Sequence, residues 1–233
     1  PISITADGMD LQTTGLGSQI KGGIGTVTLR PTTLTRNINI ESGNTAGVLS
    51  LTPTELSTIT SAGTLEIGRS DSTGLLTVST PLANSNINAS TTLRLIAGDV
   101  AISGNIGAPG AELSKNLEVR ANNNLTVTGS KVLLADNKNL TLVSDNDAAG
   151  GGLLKFDIAG DVIVGTTTGN AGAMLLQGAD ISLIGGGGVS AGVQVKGSGT
   201  QTIAAANSIS INNGGGPGTF TVSTESGLQS LST

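Results

Sequence analysis

The residues of this sequence best suited to acid–base chemistry are two pairs of aspartates, Asp145 with Asp147 and Asp157 with Asp161. Paired carboxylates flanking a glycosidic bond can serve as acid and as base or nucleophile. The chain has no His and no Cys. That removes His-based nucleophilic triads, imidazole metal sites and thiol chemistry from consideration. Asp145-Asn146-Asp147 reads more readily as a turn, because Asx side chains bond nearby backbone and tolerate positive φ. Asp99, Asp161 and Asp180 each precede a triplet at the same repeat position, Val100-Ala101-Ile102, Val162-Ile163-Val164 and Ile181-Ser182-Leu183. An active site is needed once, so a recurring position points to a structural corner. The expectation is no catalytic residue, no cofactor and no metal ligand.

Other chemistries find little footing. Asp-x-Asp is half of a calcium loop, and neither an EF-hand nor a calcium-binding nonapeptide repeat is present. The runs Gly185 to Gly188 and Gly214 to Gly216 carry no Gly-Lys-Ser/Thr continuation, so they read as sharp turns rather than phosphate loops. Aromatic residues make up 1% of the chain, which leaves no stacking platform for sugars. Thr26-Val27-Thr28 and Thr166-Thr167-Thr168 do not recur at a fixed spacing, as an ice-binding array would require. The net charge of -5 and the absence of a basic stripe argue against nucleic acid as a partner. No apolar run is long enough for a membrane-spanning helix.

The elements that must position any such residues follow from alternation. Triplets such as Ile38-Asn39-Ile40, Leu65-Glu66-Ile67, Leu93-Arg94-Leu95, Leu125-Thr126-Val127 and Ile209-Ser210-Ile211 recur along the whole chain. Period-two alternation marks a half-buried strand, with the polar centre outward and the apolar pair inward. Between triplets lie Gly, Asn, Asp, Ser and Thr. A core with almost no aromatics must be thin and regular, so that Leu, Ile, Val and Ala can reach across it.

An internal repeat organises these strands. Ala followed by Gly, Asn or Asp and then a triplet occurs at Ala62, Ala97, Ala121, Ala135, Ala159, Ala179 and Ala206. The mean spacing is about 24 residues, within the range of repeat architectures. One such unit cannot bury its own apolar face, whereas stacked units can. The expectation is therefore all-β: a right-handed parallel β-helix, or β-solenoid, of about ten coils of roughly 20–24 residues. It forms a single domain over residues 1–233, or a segment of a longer solenoid. Leu95, Val100, Ile102, Val119, Leu125, Val127, Leu142, Ile158, Val164, Ile181, Leu183, Ile209 and Ile211 should be buried. Residues 52–61, with Pro53 and Glu55-Leu56, fit worst and suggest a short helical turn or an outward loop. Residues 104–114, with Pro109, form a second irregular stretch. Both ends read as strand, so neither shows a cap and each terminal coil should meet another.

The degenerate coils and the Ala-Gly-Asp-Val and Ala-Asn-Ser-Ile corners resemble the filamentous haemagglutinin family, the large exoproteins of bacterial two-partner secretion. The resemblance covers essentially the whole chain. It is strongest from Leu49 through Ala62-Gly63-Thr64-Leu65-Glu66-Ile67-Gly68 to Gly74-Leu75-Leu76-Thr77-Val78. It implies export from a Gram-negative cell, an extracellular or cell-surface location, and adhesion to a host or neighbouring cell. The family's Asn-Pro-Asn-type secretion motifs are absent, which points to an internal shaft segment. The first expectation is thus a structural and adhesive shaft. The alternatives are a fibre subunit that polymerises end to end with other copies of itself and, last, a polysaccharide-active β-helix enzyme.

Overall fold

The computed structural model describes residues 1–11, 19–61, 63–89, 91–129, 131–158, 161–165, 172–185, 191–212, 220–224 and 226–233. The chain is an all-β parallel solenoid of about seven turns with almost no helix. The first face stacks, among others, Val27–Arg30, Thr64–Gly68, Thr92–Ala97, Asn116–Ala121 and Leu140–Val143 in parallel register. The second face carries one continuous row of inward residues: Ile38, Leu76, Val100, Leu125, Leu154, Ile181 and Ile209. The third is more broken. Its upper part stacks Val132–Leu134, Asp161–Val164, Ala191–Val195 and Phe220–Thr224. Lower down, single-residue bridges join Leu82 to Ile106 and Ile106 to Val132, and a separate short ladder pairs Ile20–Lys21, Ile59–Ser61 and Asn88–Ala89.

The core is the set of inward triplet positions. Leu95, Val100, Ile102, Val119, Leu125, Val127, Leu142, Val164, Ile181 and Leu183 are all buried. The side chain of Ile158 lies outside the described set, as do Ala62, Ala159, the segment 166–171 and most of both glycine runs. Phe156, in register with Val127 and Leu183, is the largest fully buried side chain.

Two expectations need correction. About seven turns form rather than ten, because several coils are longer than the Ala spacing suggests. Val27 pairs with Leu65, and Leu140 with Met174, so each of these coils takes well over thirty positions to return to its row. The Ala motif also marks more than one corner. Ala97 and Ala121 precede the second face, whereas Ala135 precedes the first. The second correction concerns burial. Ile209 is only partly buried and Ile211 is 48% exposed, because among the described residues the second half of their strand, 208–211, pairs on one side alone, with 180–183, while its first half also pairs with Gln229–Ser232.

The two ends of the stack differ. At the N-terminal end Leu49–Leu51 folds back to add a rung beneath Ile38–Ile40, and Met9 and Leu11 pack against the core. Residues 52–61 do not loop outward. Pro53–Leu56 is one helical turn, opened by a capping box between Thr52 and Glu55, and Leu49, Leu51, Leu56 and Ile59 are fully buried. The expectation of an uncapped N-terminal end holds in part: residues 6–11 form a strap that lays Met9 and Leu11 against the core, with the Leu11 N–H on Glu55, while Ile2–Thr5, the outermost first-face strand, pairs on one side alone among the described residues. At the other end Leu228 is 79% and Leu231 49% exposed. Fraying should follow this asymmetry. Amide hydrogen exchange is expected to run at least about tenfold faster in peptides covering 201–212 than in those covering 49–59. Equal rates would contradict the asymmetry between 49–59 and 201–212.

Candidate functional site

The corners place most of the acids singled out from the sequence. Asp99 opens a second-face strand, and its Oδ1 accepts the Asn124 backbone N–H at 3.0 Å and the Asn124 side-chain amide at 3.2 Å. Asp180 occupies the same row two coils beyond Asn124. It accepts the Ser208 hydroxyl at 2.6 Å and the Asn207 amide at 3.3 Å. The Ser208 bond, then the Asn207 bond, hold its carboxyl below the usual range. Asparagines repeat the device. Asn37 accepts the Leu75 N–H, Asn124 that of Leu153, Asn116 that of Asn139, Asn139 that of Ala173, and Asn105 that of Lys131.

Apart from Asp180, which takes the Ser208 hydroxyl, each Asx stands at or just before the start of a strand or bridge and receives the N–H of its row neighbour one coil further along. The side chain is a staple between successive coils, placed where the ladder would otherwise lose a bond at the turn. Asn and Asp at corners are legible as turn formers. That they bond the next coil, 23 to 38 residues away, carries no local signal.

The remaining acids are not assembled into a pair. Asp145 has φ 56° and sits in the turn after Leu140–Val143, where its Oδ1 accepts the Gly150 N–H at 2.8 Å. Asp147 accepts the Ala149 N–H at 3.3 Å in the same turn. Asp157 lies on the second face in Leu153–Ile158 and forms an ion pair with Lys155 at 3.0 Å. Asp161 starts a third-face strand in register with Gly192, and its side chain lies outside the described set. Asp99 and Asp145 do line one shallow depression of about 260 Å³, together with Asn124 and Gly150. Both carboxylates there already accept bonds from Asn124 and Gly150. Among the described residues no three acidic groups come close enough to hold a metal ion.

A charged ladder runs up the outer surface of the first face. Glu66, Arg94 and Glu118 occupy the outward centre of three successive rungs. Arg94 bonds Glu66 at 3.0 Å and Glu118 at 2.7 Å, and Glu118 also bonds Arg120, which reaches Asn146 at 3.0 Å. Opposite charges directly across parallel strands favour this register over one shifted by a coil. Burial alone would raise the Glu118 carboxyl above its ordinary 4.5. The hydrogen bonds from Arg120 and Arg94, reinforced by their charges, outweigh it and leave it lowered.

A lowered carboxyl stabilises the fold above its unfolded value, and that contribution is lost as pH falls through the lower, folded value. Melting temperature is therefore expected to drop as pH is taken below about 4.5. Glu118→Gln should lose roughly 0.5–1 kcal/mol at neutral pH, since the network is partly exposed. It should also flatten the acid side of the profile. A variant with an unchanged profile would remove Glu118 from the acid response.

A second depression, about 470 Å³, lies beside the N-terminal strap and is lined by Asp7, Met9, Arg36 and Thr45 among others. Its two charged groups are already engaged. Asp7 accepts both the backbone N–H and the hydroxyl of Thr33, while Arg36 bonds the Gly47 carbonyl and lies 3.8 Å from Asp7. No described helix is long and apolar enough to cross a membrane. Comparison with family models, with curated proteins and with solved structures gives no match. The likeness to haemagglutinin-type exoproteins thus rests on the coil pattern alone.

Proposed function

We propose that the chain is a structural and adhesive shaft segment of a secreted bacterial surface protein of the filamentous haemagglutinin kind. The observation that carries this reading is the parallel stack itself. About seven turns share one thin aliphatic core and bind each other through corner staples and an outer charged ladder. Such a rod resists extension because every coil is hydrogen-bonded to the next, and at ~4.8 Å per turn it extends roughly 34 Å along its axis.

In this reading the chain is not an enzyme, and its partners are surfaces of host or neighbouring cells met outside a Gram-negative cell. The acids are engaged in turns, staples and an ion pair, which is structural employment. Head-to-tail polymerisation of identical copies is the second reading, because the outermost strands at both ends, Ile2–Thr5 and Gln229–Ser232, pair on one side alone among the described residues.

The test has two parts. Antibody to the chain is expected to label the outside of intact producing cells, and beads coated with the chain are expected to bind host or neighbouring cells. Label confined to the cytosol would overturn the reading. So would polysaccharide cleavage by the purified chain that Asp145→Asn or Asp157→Asn abolishes.

A further inference from the structure

Two segments far apart in the sequence cover part of the N-terminal end and meet at one side chain. The first is the strap, residues 6–11. The second is the loop 42–48, which lies between Ile38–Ile40 and the added rung Leu49–Leu51. Each is pinned by a carboxylate. Asp7 accepts the backbone N–H of Thr33 at 2.8 Å and its hydroxyl at 2.6 Å, which ties the strap to the corner that precedes Ile38–Ile40. Glu41 accepts the Thr45 N–H and hydroxyl, each at 3.0 Å, and the Ser50 hydroxyl at 2.6 Å, which curls the loop back onto its own rung. The strap has a second pin, the Leu11 N–H on Glu55 at 2.9 Å.

Arg36 joins the two segments. One guanidinium nitrogen donates to the Gly47 carbonyl of the loop, and another lies 3.8 Å from Asp7 of the strap. At that distance the contact with Asp7 is an ion pair without a hydrogen bond, and both side chains are 30% exposed. The depression of about 470 Å³ between strap and loop is the seam of this closure. On the inner side of the strap Met9 and Leu11 pack against the core. The other charged groups of these segments and their pins are Asp10, which is exposed, Arg30, which turns to the Thr5 hydroxyl, and Glu55.

We infer that strap and loop form a lid of two leaves, joined at Arg36, which acid opens as one unit while the coils above stay folded. A protonated carboxyl carries an O–H where the donors of Thr33 or Thr45 already point. At Asp7 it also ends the attraction to Arg36 and lets the strap lift Met9 and Leu11 from the core. At Glu41 it slackens the loop that carries Gly47, and Arg36 passes the movement to the strap. The Thr33 hydroxyl and N–H, then the Arg36 charge, hold the Asp7 carboxyl below its ordinary 3.8. Burial alone would raise the Glu41 carboxyl above 4.5, and the bonds from Ser50 and Thr45 outweigh it. Both contributions are complete above the ordinary values and are lost as pH falls through the lower, folded ones. The lid is therefore closed at neutral pH and opens below about 3.8.

The chain has two methionines, which serve as probe and control. Met9 lies in the strap, and Met174 is 1% exposed in the core. Dilute hydrogen peroxide converts an accessible thioether to its sulfoxide, and mass spectrometry follows each site. Taking the parent chain from about pH 7 to about pH 3 is expected to speed Met9 oxidation at least about fivefold and to leave Met174 unchanged. At neutral pH Glu41→Gln, which alters a pin of the loop alone, is expected to speed Met9 by about threefold or more. Arg36→Gln should do the same, and Glu41→Gln added to Arg36→Gln should then change Met9 little, because the joint is already gone.

A Met9 rate indifferent to acid would overturn the acid-opened lid, and this measurement on the parent chain needs no variant to fold. Met9 and Met174 rising together would mean that the coils open with the lid, and would overturn it as well. Met9 unchanged in Glu41→Gln would overturn the joint at Arg36, whether or not the Thr45 amide exchanges faster. None of these outcomes depends on what the chain binds, so the shaft reading stands or falls separately.

Discussion

Val127→Asp is expected to unfold the middle coils, while Thr126→Asp, one residue earlier, is expected to leave stability within about 0.5 kcal/mol of the parent. Val127 is fully buried and stacks between Ile102 and Phe156 in adjacent coils. An unpaired carboxylate there has no donor to meet, and its burial costs well over ~4 kcal/mol. Stability of a domain this size is of order ~5–15 kcal/mol. Coils in a solenoid depend on their neighbours, so damage at one rung opens the rungs on both sides. Thr126 points outward between Ala101 and Lys155, where an added carboxylate meets a cation. Urea melts followed by circular dichroism decide the matter: two similar curves would mean that the triplets do not alternate in and out as the fold requires.

That contrast between adjacent residues is also why so much of the fold was legible. Alternation over three residues is a local property, and Leu93-Arg94-Leu95 announces its two faces without any knowledge of what lies above or below. The terminal rungs show the limit. Ile209-Ser210-Ile211 is indistinguishable in pattern from Ile181-Ser182-Leu183, yet the first is half bare and the second sealed, because burial of a rung is decided by its neighbours. The lower part of the third face was illegible for a different reason, although its upper triplets such as Val193-Gln194-Val195 were plain. Ile106 and Leu113 are each fully buried but contribute single bridges rather than strands, so no alternating run surrounds them. The acids fall between these cases. Asp145 and Asp147 declare a turn by composition and make one, whereas the bond from Ser208 to Asp180 depends on a register that only the stacked coils define.

Glu55→Gln is expected to loosen the N-terminal end and lower stability by ~2–3 kcal/mol. Residues 52–61 fit the repeat worst, and the structure shows what they do instead. The Thr52-Pro53-Thr54-Glu55 stretch is a capping box with Pro at the start of the helical turn. The Glu55 side chain is buried. One oxygen accepts both the backbone N–H and the hydroxyl of Thr52, each at 2.8 Å, and the other accepts the N–H of Leu11 at 2.9 Å. A single carboxylate thus ties the helical turn to the strap 44 residues earlier.

Gln has the same length but only one acceptor oxygen. Its NH₂ must face either the Thr52 donors or the Leu11 N–H, and a donor opposite a donor leaves buried groups unmatched. The capping half of the interaction is visible in the sequence as Thr-x-x-Glu, and the strap half is not. The expected signature separates a local opening from general damage. The Leu11 amide and the strap should lose exchange protection in Glu55→Gln, while Leu95, Val119 and Leu142 in the middle coils keep theirs. If the strap stays protected and the melt is unchanged, Glu55 does not hold the N-terminal end closed, and the asymmetry between the two ends loses its cause.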